Sequence, residues 1–270
     1  MAKITIDGVR YELLKRTYIA RVDSVEREYK NMKSYTIPEK VIADGVSYTV
    51  TEIGNKAFNN CPLLEEVIIP NSVTEIENGT YIGDTFYSAF RNCPNLKSVT
   101  FSKKITRIGR AFEKCTGLTS IVIPNSVTSI GYWAFNGCSA LTSINIPDSV
   151  TSIGCWAFDG CTGLTSVVIP NSVEFIDSIT FSHNPLEHIV FGKGLIEIGN
   201  EAFSNSTRAD LKYYKQNFLK EVYIPASVTT IGVHAFGSAT SDVTITVENP
   251  ASAMSLGSNW SGSATVIFGE

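Results

Sequence analysis

The sequence predicts a solenoid of stacked repeats, and this prediction is based on a recurring residue pair and its spacing. A small residue followed by Phe, usually Ala-Phe, occurs eight times in the 270 residues, and in five copies a Cys follows the Phe by three positions. The intervals between these phenylalanines are 32, 22, 23, 23, 23, 22 and 33 residues, so the period is about 23, and self-similarity at such a period is typical of repeat architectures. The phenylalanines are Phe58, Phe90, Phe112, Phe135, Phe158, Phe181, Phe203 and Phe236.

Each element of the repeat has its own signal, as the copy at residues 118–140 illustrates. Residues 121–123 alternate with the period of two expected for a strand, and Pro124 ends that strand because it lacks an N–H group. Residues 126–131 alternate again and predict a second short strand. Residues 132–138 carry Ala, Phe and Cys at helical offsets, which favours a helical or 3₁₀ turn. The side chains predicted to face the core are Leu118, Ile121, Ile123, Val127, Ile130, Ala134, Phe135 and Cys138.

Composition and charge narrow the classes of function. The chain is 43% hydrophobic and 18% charged, which is enough apolar material for one continuous solenoid. The net charge of −4 and the lack of a basic stripe argue against nucleic acid as a partner. No apolar run is long enough to cross a bilayer, so no membrane insertion is predicted. The first residues lack the apolar core of a signal peptide, which leaves open a cytoplasmic protein or a removed leader.

The aligned copies read L-x-x-I-x-I-P-x-S-V-x-x-I-G-x-x-A-F-x-x-C, most clearly at 118–140, 141–163 and 164–185. This pattern resembles the leucine-rich repeat of the BspA type. The resemblance implies a right-handed superhelix of about eight coils, with a parallel β-sheet on one face and short helical or 3₁₀ turns, or second short strands, opposite. It also implies a surface or secreted protein, like those of Bacteroides, Treponema and related microbes, that adheres to host or microbial surfaces.

Three parts of the chain are predicted. The resemblance implies that residues 1–47 form an N-terminal β cap. Asp7-Gly8 and Asp44-Gly45 within it predict hairpins, because Asp-Gly between alternating segments is a strong hairpin signal. Residues 48–247 form the leucine-rich repeats, with insertions at about 77–87 and 205–217, and residues 248–270 form a C-terminal cap.

The cysteines are interpreted as packing residues. Five occupy one repeat position and predict a ladder of buried thiols that behave as small hydrophobes. Metal binding is disfavoured because no C-x₂₋₄-C cluster is present, and disulfides are disfavoured because side chains on successive rungs run parallel. Cys155 is out of phase and is the one thiol expected to be accessible. The ladder members are Cys61, Cys93, Cys115, Cys138 and Cys161.

No catalytic constellation is visible in the sequence. His188 falls at an outward position of the predicted sheet, and His183 is expected in a turn. Ser and Thr recur with the repeat, so they are lattice positions and not activated nucleophiles. We therefore predict no enzymatic activity, no cofactor and no metal.

Three surfaces compete as the binding site for a partner. The first is the outward face of the predicted sheet, because solenoids commonly bind proteins on extended sheets. The alternative is that its many Thr and Ser side chains are only the default residues of a repeat that has not diversified. Its candidate residues are Val122, Asn145, Val168, His188 and Tyr223. The second surface is the pair of insertions, which repeat proteins often place on a binding face. Its candidates are Tyr81, Phe86 and Tyr87 in the first insertion and Tyr213 and Tyr214 in the second. The alternative for the insertions is a tolerated loop whose aromatic side chains fold back on the coil.

The third surface is Trp133 with Trp156, one period apart and therefore on adjacent rungs. Such a pair either holds a sugar or a partner's aromatic side chain, or staples two rungs together.

These features predict a non-enzymatic module that binds a protein or a glycan, with surface adhesion implied by the resemblance. Two alternatives stay open. The chain could be a structural spacer with no ligand of its own, or an intracellular interaction scaffold, which the missing leader and the reduced-looking cysteines favour. The sequence does not define the oligomeric state.

Overall fold

The computed structural model describes residues 2–27, 30–82, 85–205 and 219–270, and its regular structure is almost wholly short β-strands. Before the first repeat phenylalanine, Phe58, the described strands are β1 (Ala2–Ile6), β2 (Val9–Leu14), β3 (Ile19–Val25), β4 (Ser34–Thr36), β5 (Lys40–Ala43) and β6 (Val46–Ile53). Both Asp-Gly hairpins are confirmed, since β1 pairs antiparallel with β2 and β5 pairs antiparallel with β6. Asp7 and Gly8 have φ values of 47° and 74°, the left-handed conformation that such two-residue turns require.

The repeats contribute strands to two sets of parallel strands. The first set, called the front sheet, consists of three separately paired groups. They are β4 with β7 (Glu66–Ile68) and β11 (Ser98–Thr100); β15 (Ser166–Val168) with β17 (His188–Val190); and β19 (Glu221–Ile224) with β21 (Thr244–Val247) and β23 (Thr265–Phe268). The second set, called the back sheet, comprises β12 (Arg107–Ile108), β13 (Ser129–Ile130), β14 (Ser152–Ile153), β16 (Phe175–Ile176), β18 (Glu197–Ile198), β20 (Thr230–Ile231) and β22 (Ser255–Leu256). The preceding strand β8 (Glu75–Ile76) instead pairs in parallel with β6. Between β8 and β11 the first insertion forms its own hairpin of β9 (Thr80–Ile82) and β10 (Thr85–Tyr87).

Two local predictions differ from the structure. In place of a strand, residues 121–123 make only a parallel bridge from Val122 to Asn145, so the front sheet is irregular in its middle. The predicted helical turn at 132–138 is instead a series of turns, in which the Cys138 amide donates to the Phe135 carbonyl at 3.1 Å. A right-handed helix cannot continue there because Trp133 and Gly137 have φ values of 58° and 71°. The second predicted strand is confirmed as β13.

The core is a continuous stack of phenylalanine rings. All eight repeat phenylalanines are buried, and successive rings lie 5.1–5.5 Å apart with interplanar angles of 3–11°. Trp260 covers the end of the stack, with its ring edge to face with Phe236 at a centroid distance of 6.4 Å, and β22 and β23 add the last strands to the back and front sheets. The whole predicted inward set of the copy at 118–140 is buried.

The cysteine ladder is buried and donates hydrogen bonds to the phenylalanine stack. The Cys93 and Cys138 thiols donate to the Phe58 and Phe112 carbonyls at 3.1 and 3.2 Å. At the next position of the ladder, Asn184 replaces Cys and its Nδ2 makes the equivalent bond to the Phe158 carbonyl at 2.9 Å. Because an Asn side-chain amide at this repeat position donates the same hydrogen bond as the Cys thiols, the role of the position is to supply a donor to a buried backbone carbonyl.

Candidate binding surfaces

The front sheet presents one row of outward side chains that includes exposed apolar residues. Four paired groups contribute to it: Ile68 pairs with Thr100, Val122 with Asn145, Val168 with Val190, and Thr246 with both Tyr223 and Ile267. We call these nine residues the front row. The exposed fractions of Val122, Val168, Val190 and Tyr223 are 78%, 60%, 55% and 51%. Three of the predicted sheet-face residues, Val122, Asn145 and Val168, are therefore neighbours on one exposed surface.

The two remaining sheet-face candidates lie towards one end. His188 is exposed on β17, opposite Ser166 of β15, as predicted. Tyr223 of β19 donates its phenolic hydrogen bond to Glu248, which holds the ring in place on the surface. At the other end of the sheet the charges pair among themselves, with Lys97 Nζ 2.7 Å from Glu65 Oε2. The uncharged middle of the front row is thus the part without internal ion pairs among the described residues.

Shallow grooves flank the irregular middle of the front sheet. One of about 650 Å³ runs between β11 and residues 122–126 and has Phe101 and Pro124 in its wall. Another of about 410 Å³ lies beside Asn145, Val168 and Val190. Both touch front-row residues, so the exposed valines stand at the rims of recesses and do not lie on a flat plane.

The first insertion folds back on the coils but leaves one aromatic side chain outside. The Phe86 ring lies 3.6 Å from Arg110 Cζ, and the Tyr87 ring lies 4.9 Å from Lys56 Nζ. Tyr81 is exposed and meets the Phe86 ring edge to face, at a centroid distance of 5.0 Å. Of the three predicted residues in this insertion, Phe86 and Tyr87 therefore anchor the hairpin, and Tyr81 is available to a partner.

Arg110 joins the insertion to the tryptophan pair. Its guanidinium is sandwiched between Phe86 and Trp133, with Cζ 3.8 Å from the Trp133 ring. The same group lies 2.6 Å from Glu113, whose side chain is 2% exposed, and Arg91 approaches Glu113 from the other side at 3.2 Å. A carboxylate this deeply buried requires such pairing, so Arg110 is held in a fixed position.

Trp133 and Trp156 contact each other across adjacent rungs, as the spacing predicted. Their rings meet edge to face at 5.5 Å, and both are half-buried. Tyr132 stacks on Trp133 at 5.7 Å and meets Trp156 edge to face at 5.3 Å. The three rings form a cluster on the surface whose outermost member is Tyr132.

The second insertion, predicted at about 205–217, falls almost wholly within residues 206–218, which lie outside the described residues, together with the candidates Tyr213 and Tyr214. Their predicted role in binding stays a prediction.

A third groove lies over the back sheet, where sequence reasoning placed no candidate. It has a volume of about 580 Å³ and is lined by Arg107, Tyr132, Phe175, Asp177 and the glycines between them. The signal was present in the aligned copies, because Phe175 stands where the two preceding copies have Ser129 and Ser152, and Asp177 stands where they have Gly131 and Gly154.

The thiols differ in environment as predicted. Burial raises the pKa of Cys115 to about 12, and the other ladder thiols are also buried. Cys155 is half-buried, and burial followed by a hydrogen bond with Asp177 raises its pKa to about 11. Within residues 2–27, 30–82, 85–205 and 219–270 no group of three or more His, Cys, Asp or Glu side chains could hold a metal ion. In that same part of the chain no helix is long and apolar enough to cross a membrane.

Coils that carry short parallel strands, share a stacked apolar core and contain almost no helix are typical of a β-rich solenoid protein. The family model described as BspA type leucine-rich repeat region (6 copies) matches residues 28–83, 80–210 and 208–260. The chain therefore belongs to the BspA-type leucine-rich repeat family.

Solved structures agree with this assignment. A leucine-rich repeat protein from Bacteroides ovatus is 27% identical with a TM-score of 0.67, and the match covers 99% of this chain and 71% of that protein. A leucine-rich repeat protein from Treponema pallidum is 26% identical with a TM-score of 0.59, and the match covers 75% of this chain and 86% of that protein. The comparison with curated protein sequences found no match.

Proposed function

We propose that this chain is a non-enzymatic scaffold that binds a protein partner on the front row. The observation that carries the proposal is the set of exposed apolar side chains at one outward position of successive repeats, above all Val122, Val168 and Val190, of which Val168 and Val190 are in register on paired strands. Apolar side chains in the predicted outward positions have no packing role in the coil. Their burial against a partner would contribute about 25 cal/mol for each Å² removed from water.

The core beneath this surface supports a binding role. The phenylalanine stack and the parallel strands hold each rung relative to the next, so the outward side chains are in place before a partner arrives. A preorganised surface binds more tightly because less conformational entropy is lost on association. In our proposal the described rungs belong to one right-handed solenoid of about eight coils, which would present the front row as an extended surface.

Membership of the family supports the wider role. Leucine-rich repeat proteins of this family are generally binding scaffolds without catalytic activity. We place this chain at the cell surface or outside the cell, where it would adhere to host or microbial surfaces. The two competing functions are a structural spacer without a ligand and an intracellular interaction scaffold, and a glycan remains the alternative partner on the same row.

A binding screen with matched variants tests the proposal. The valines are replaced by the residue that other copies carry in this row, giving Val122→Thr/Val168→Thr/Val190→Thr, since Thr100 and Thr246 already occupy equivalent positions. The control is Ile196→Thr, an exposed apolar residue outside the front row. Wild type and control should bind the same purified matrix protein, and the triple variant should bind it weakly. A chain that binds nothing in a panel of matrix proteins and glycans would be a spacer.

The hairpin is tested separately. Tyr81→Ser removes the exposed ring and leaves Phe86 on Arg110, so it should not disturb the fold. If Tyr81→Ser abolishes binding and the triple variant does not, the partner site is the insertion and the front-row proposal is wrong.

A further inference from the structure

The back sheet carries a second row of outward side chains, in which a few strands have residues that differ from those at the same position in neighbouring repeats. In register, Arg107, Ser129, Ser152, Phe175 and Glu197 stand on β12, β13, β14, β16 and β18. Two small hydroxyl side chains are thus enclosed by an arginine on one side and an aromatic ring on the other. At a strand spacing of about 4.8 Å, Arg107 and Phe175 lie roughly 14 Å apart, with a trough between them.

The floor of the trough is bare backbone. Gly131 and Gly154 lie there, and a Cβ added to Gly154 would be 2.9 Å from the Tyr132 amide nitrogen. A Cβ at Gly131 would be 3.6 Å from Arg107 Nε, which shows that the arginine side chain lies along the trough. In the next rung the same position is Asp177, whose exposed carboxylate closes the trough beside Phe175. The recess therefore exists because Gly131 and Gly154 have no side chain at this position, whereas Asp177 on the next strand does.

One wall of the trough is an aromatic side chain that is already fixed in position. Tyr132 lines the groove, and its ring is held by Trp133 on one face and by the edge contact with Trp156. Trp133 is in turn stacked on Arg110, which Phe86 of the insertion hairpin covers. The exposed fractions of Tyr132 and Phe175 are 47% and 45%, so both rings offer apolar surface to a ligand. The tryptophan pair and the first insertion thus act as a support for Tyr132.

We propose that this trough is a binding site for a short acidic oligosaccharide, separate from the front row. A sugar ring presents an apolar C–H face, which an exposed aromatic ring covers, and a rim of hydroxyls, which donate to carboxylates such as Asp177. Arg107 at the far end has no ion pair with another described residue, and a guanidinium binds a carboxylate through two parallel hydrogen bonds. The length of roughly 14 Å suits two to three linked rings with a uronic acid at the Arg107 end.

The alternative occupant, an extended peptide, fits the trough less well. Peptides that bind sheets usually add a strand to a free edge and form main-chain hydrogen bonds. Here β12, β13, β14 and β16 are already paired with one another, so the trough has no free strand edge to which a peptide could add. Two hydroxyls, an arginine at one end, two aromatic faces and the carboxylates of Asp177 and Glu197 at the other end match a sugar whose acidic ring lies at Arg107 and whose hydroxyls lie at the carboxylates.

The test uses the whole chain and variants that restore the repeat residue. Phe175→Ser and Arg107→Ser copy Ser129 and Ser152 of neighbouring strands, so they should fold, and Ile196→Thr is the control. The probes are a trimer of galacturonic acid, the neutral trimer maltotriose and a Glu-containing tetrapeptide. Binding is measured by titration calorimetry and by the fluorescence of Trp133 and Trp156, which adjoin the groove through Tyr132.

The acidic trimer should bind wild type and Ile196→Thr equally and lose about tenfold or more in affinity with either repeat-restoring variant, the change expected for one lost anchoring contact. Maltotriose should bind more weakly than the acidic trimer in wild type and equally in wild type and Arg107→Ser. Failure of the acidic trimer to bind at millimolar concentration, tighter binding of the tetrapeptide, or equal binding by all variants would each overturn the proposal. None of these results depends on the front row, because the triple valine variant leaves the trough intact.

Discussion

Removing one ring from the middle of the phenylalanine stack should destabilise the protein more than removing any exposed residue. Phe135 is fully buried and stacks on Phe112 at 5.5 Å and on Phe158 at 5.3 Å. Phe135→Ala removes the ring from a close-packed core and should lower the free energy of unfolding by about 3–5 kcal/mol. Phe135→Leu keeps most of the volume but loses two ring pairs, each contributing about 0.5–1.5 kcal/mol, so it should cost about 1–3 kcal/mol.

Urea unfolding followed by circular dichroism measures both variants against wild type. The control is Tyr81→Ser, which removes an aromatic ring of similar size from the surface and should change the unfolding free energy by less than about 0.5 kcal/mol. The transition of a repeat protein need not be two-state, so the midpoint and slope are compared as well as the extrapolated free energy. A Phe135→Ala midpoint that equals that of Tyr81→Ser would refute the stack as the main source of stability.

Three further predictions concern the ladder, its neighbouring thiol and the N-terminal cap. Asn184→Cys should stabilise the protein by about 1 kcal/mol in thermal unfolding. The thiol keeps a donor for the Phe158 carbonyl, and the change removes Asn184 Oδ1, which is buried with no hydrogen-bond partner among the described residues. A lower melting temperature of the variant would contradict this. A thiol reagent should react slowly with one thiol of the native protein, Cys155, and with all six after denaturation. Asp177→Asn should speed the reaction of Cys155 in the native protein at pH 8, because the raised pKa of this thiol, about 11, depends partly on the Asp177 carboxylate. Burial would raise the pKa of Glu12, but hydrogen bonds from Lys3 and Arg21 outweigh burial and hold the pKa below its ordinary value. The stability that Glu12 contributes is therefore present at a pH above its pKa in the unfolded chain, and it is lost as the pH falls through its pKa in the folded protein. Glu12→Gln should therefore remove part of the acid sensitivity of unfolding, and an unchanged pH profile would show that the cap pairing has no such role.

The repeat pattern predicted the buried stack well because burial is periodic. A position such as Phe135 or Cys138 has the same neighbours in every rung, so one copy of the sequence reports on all of them. The hairpins at Asp7-Gly8 and Asp44-Gly45 were predictable for a local reason, since the turn itself selects those residues. The helical turn was wrong because Trp133 adopts a left-handed backbone that nothing in its side chain indicates.

The trough on the back sheet could not be predicted from the repeat pattern alone. The replacement of Ser by Phe at position 175 is visible in the aligned copies, but an isolated change of this kind does not show a recess. The recess depends on Tyr132, whose ring position is set by contacts with Trp133 and Trp156 on two different rungs. In the same way, the fold-back of Phe86 depends on Arg110, which is far along the chain from the hairpin it anchors.

The most direct test of the central claim is the affinity of wild type and of Val122→Thr/Val168→Thr/Val190→Thr for the same purified matrix protein, measured by surface plasmon resonance. Each replacement removes one methyl group from the apolar contact, at about 0.8 kcal/mol each, so the triple variant should lose about 2.4 kcal/mol, or about 50-fold in Kd. The account predicts that loss with an unchanged melting temperature and unchanged binding by Ile196→Thr. Equal affinity of wild type and the triple variant would contradict it, because the partner would then bind elsewhere on the coils.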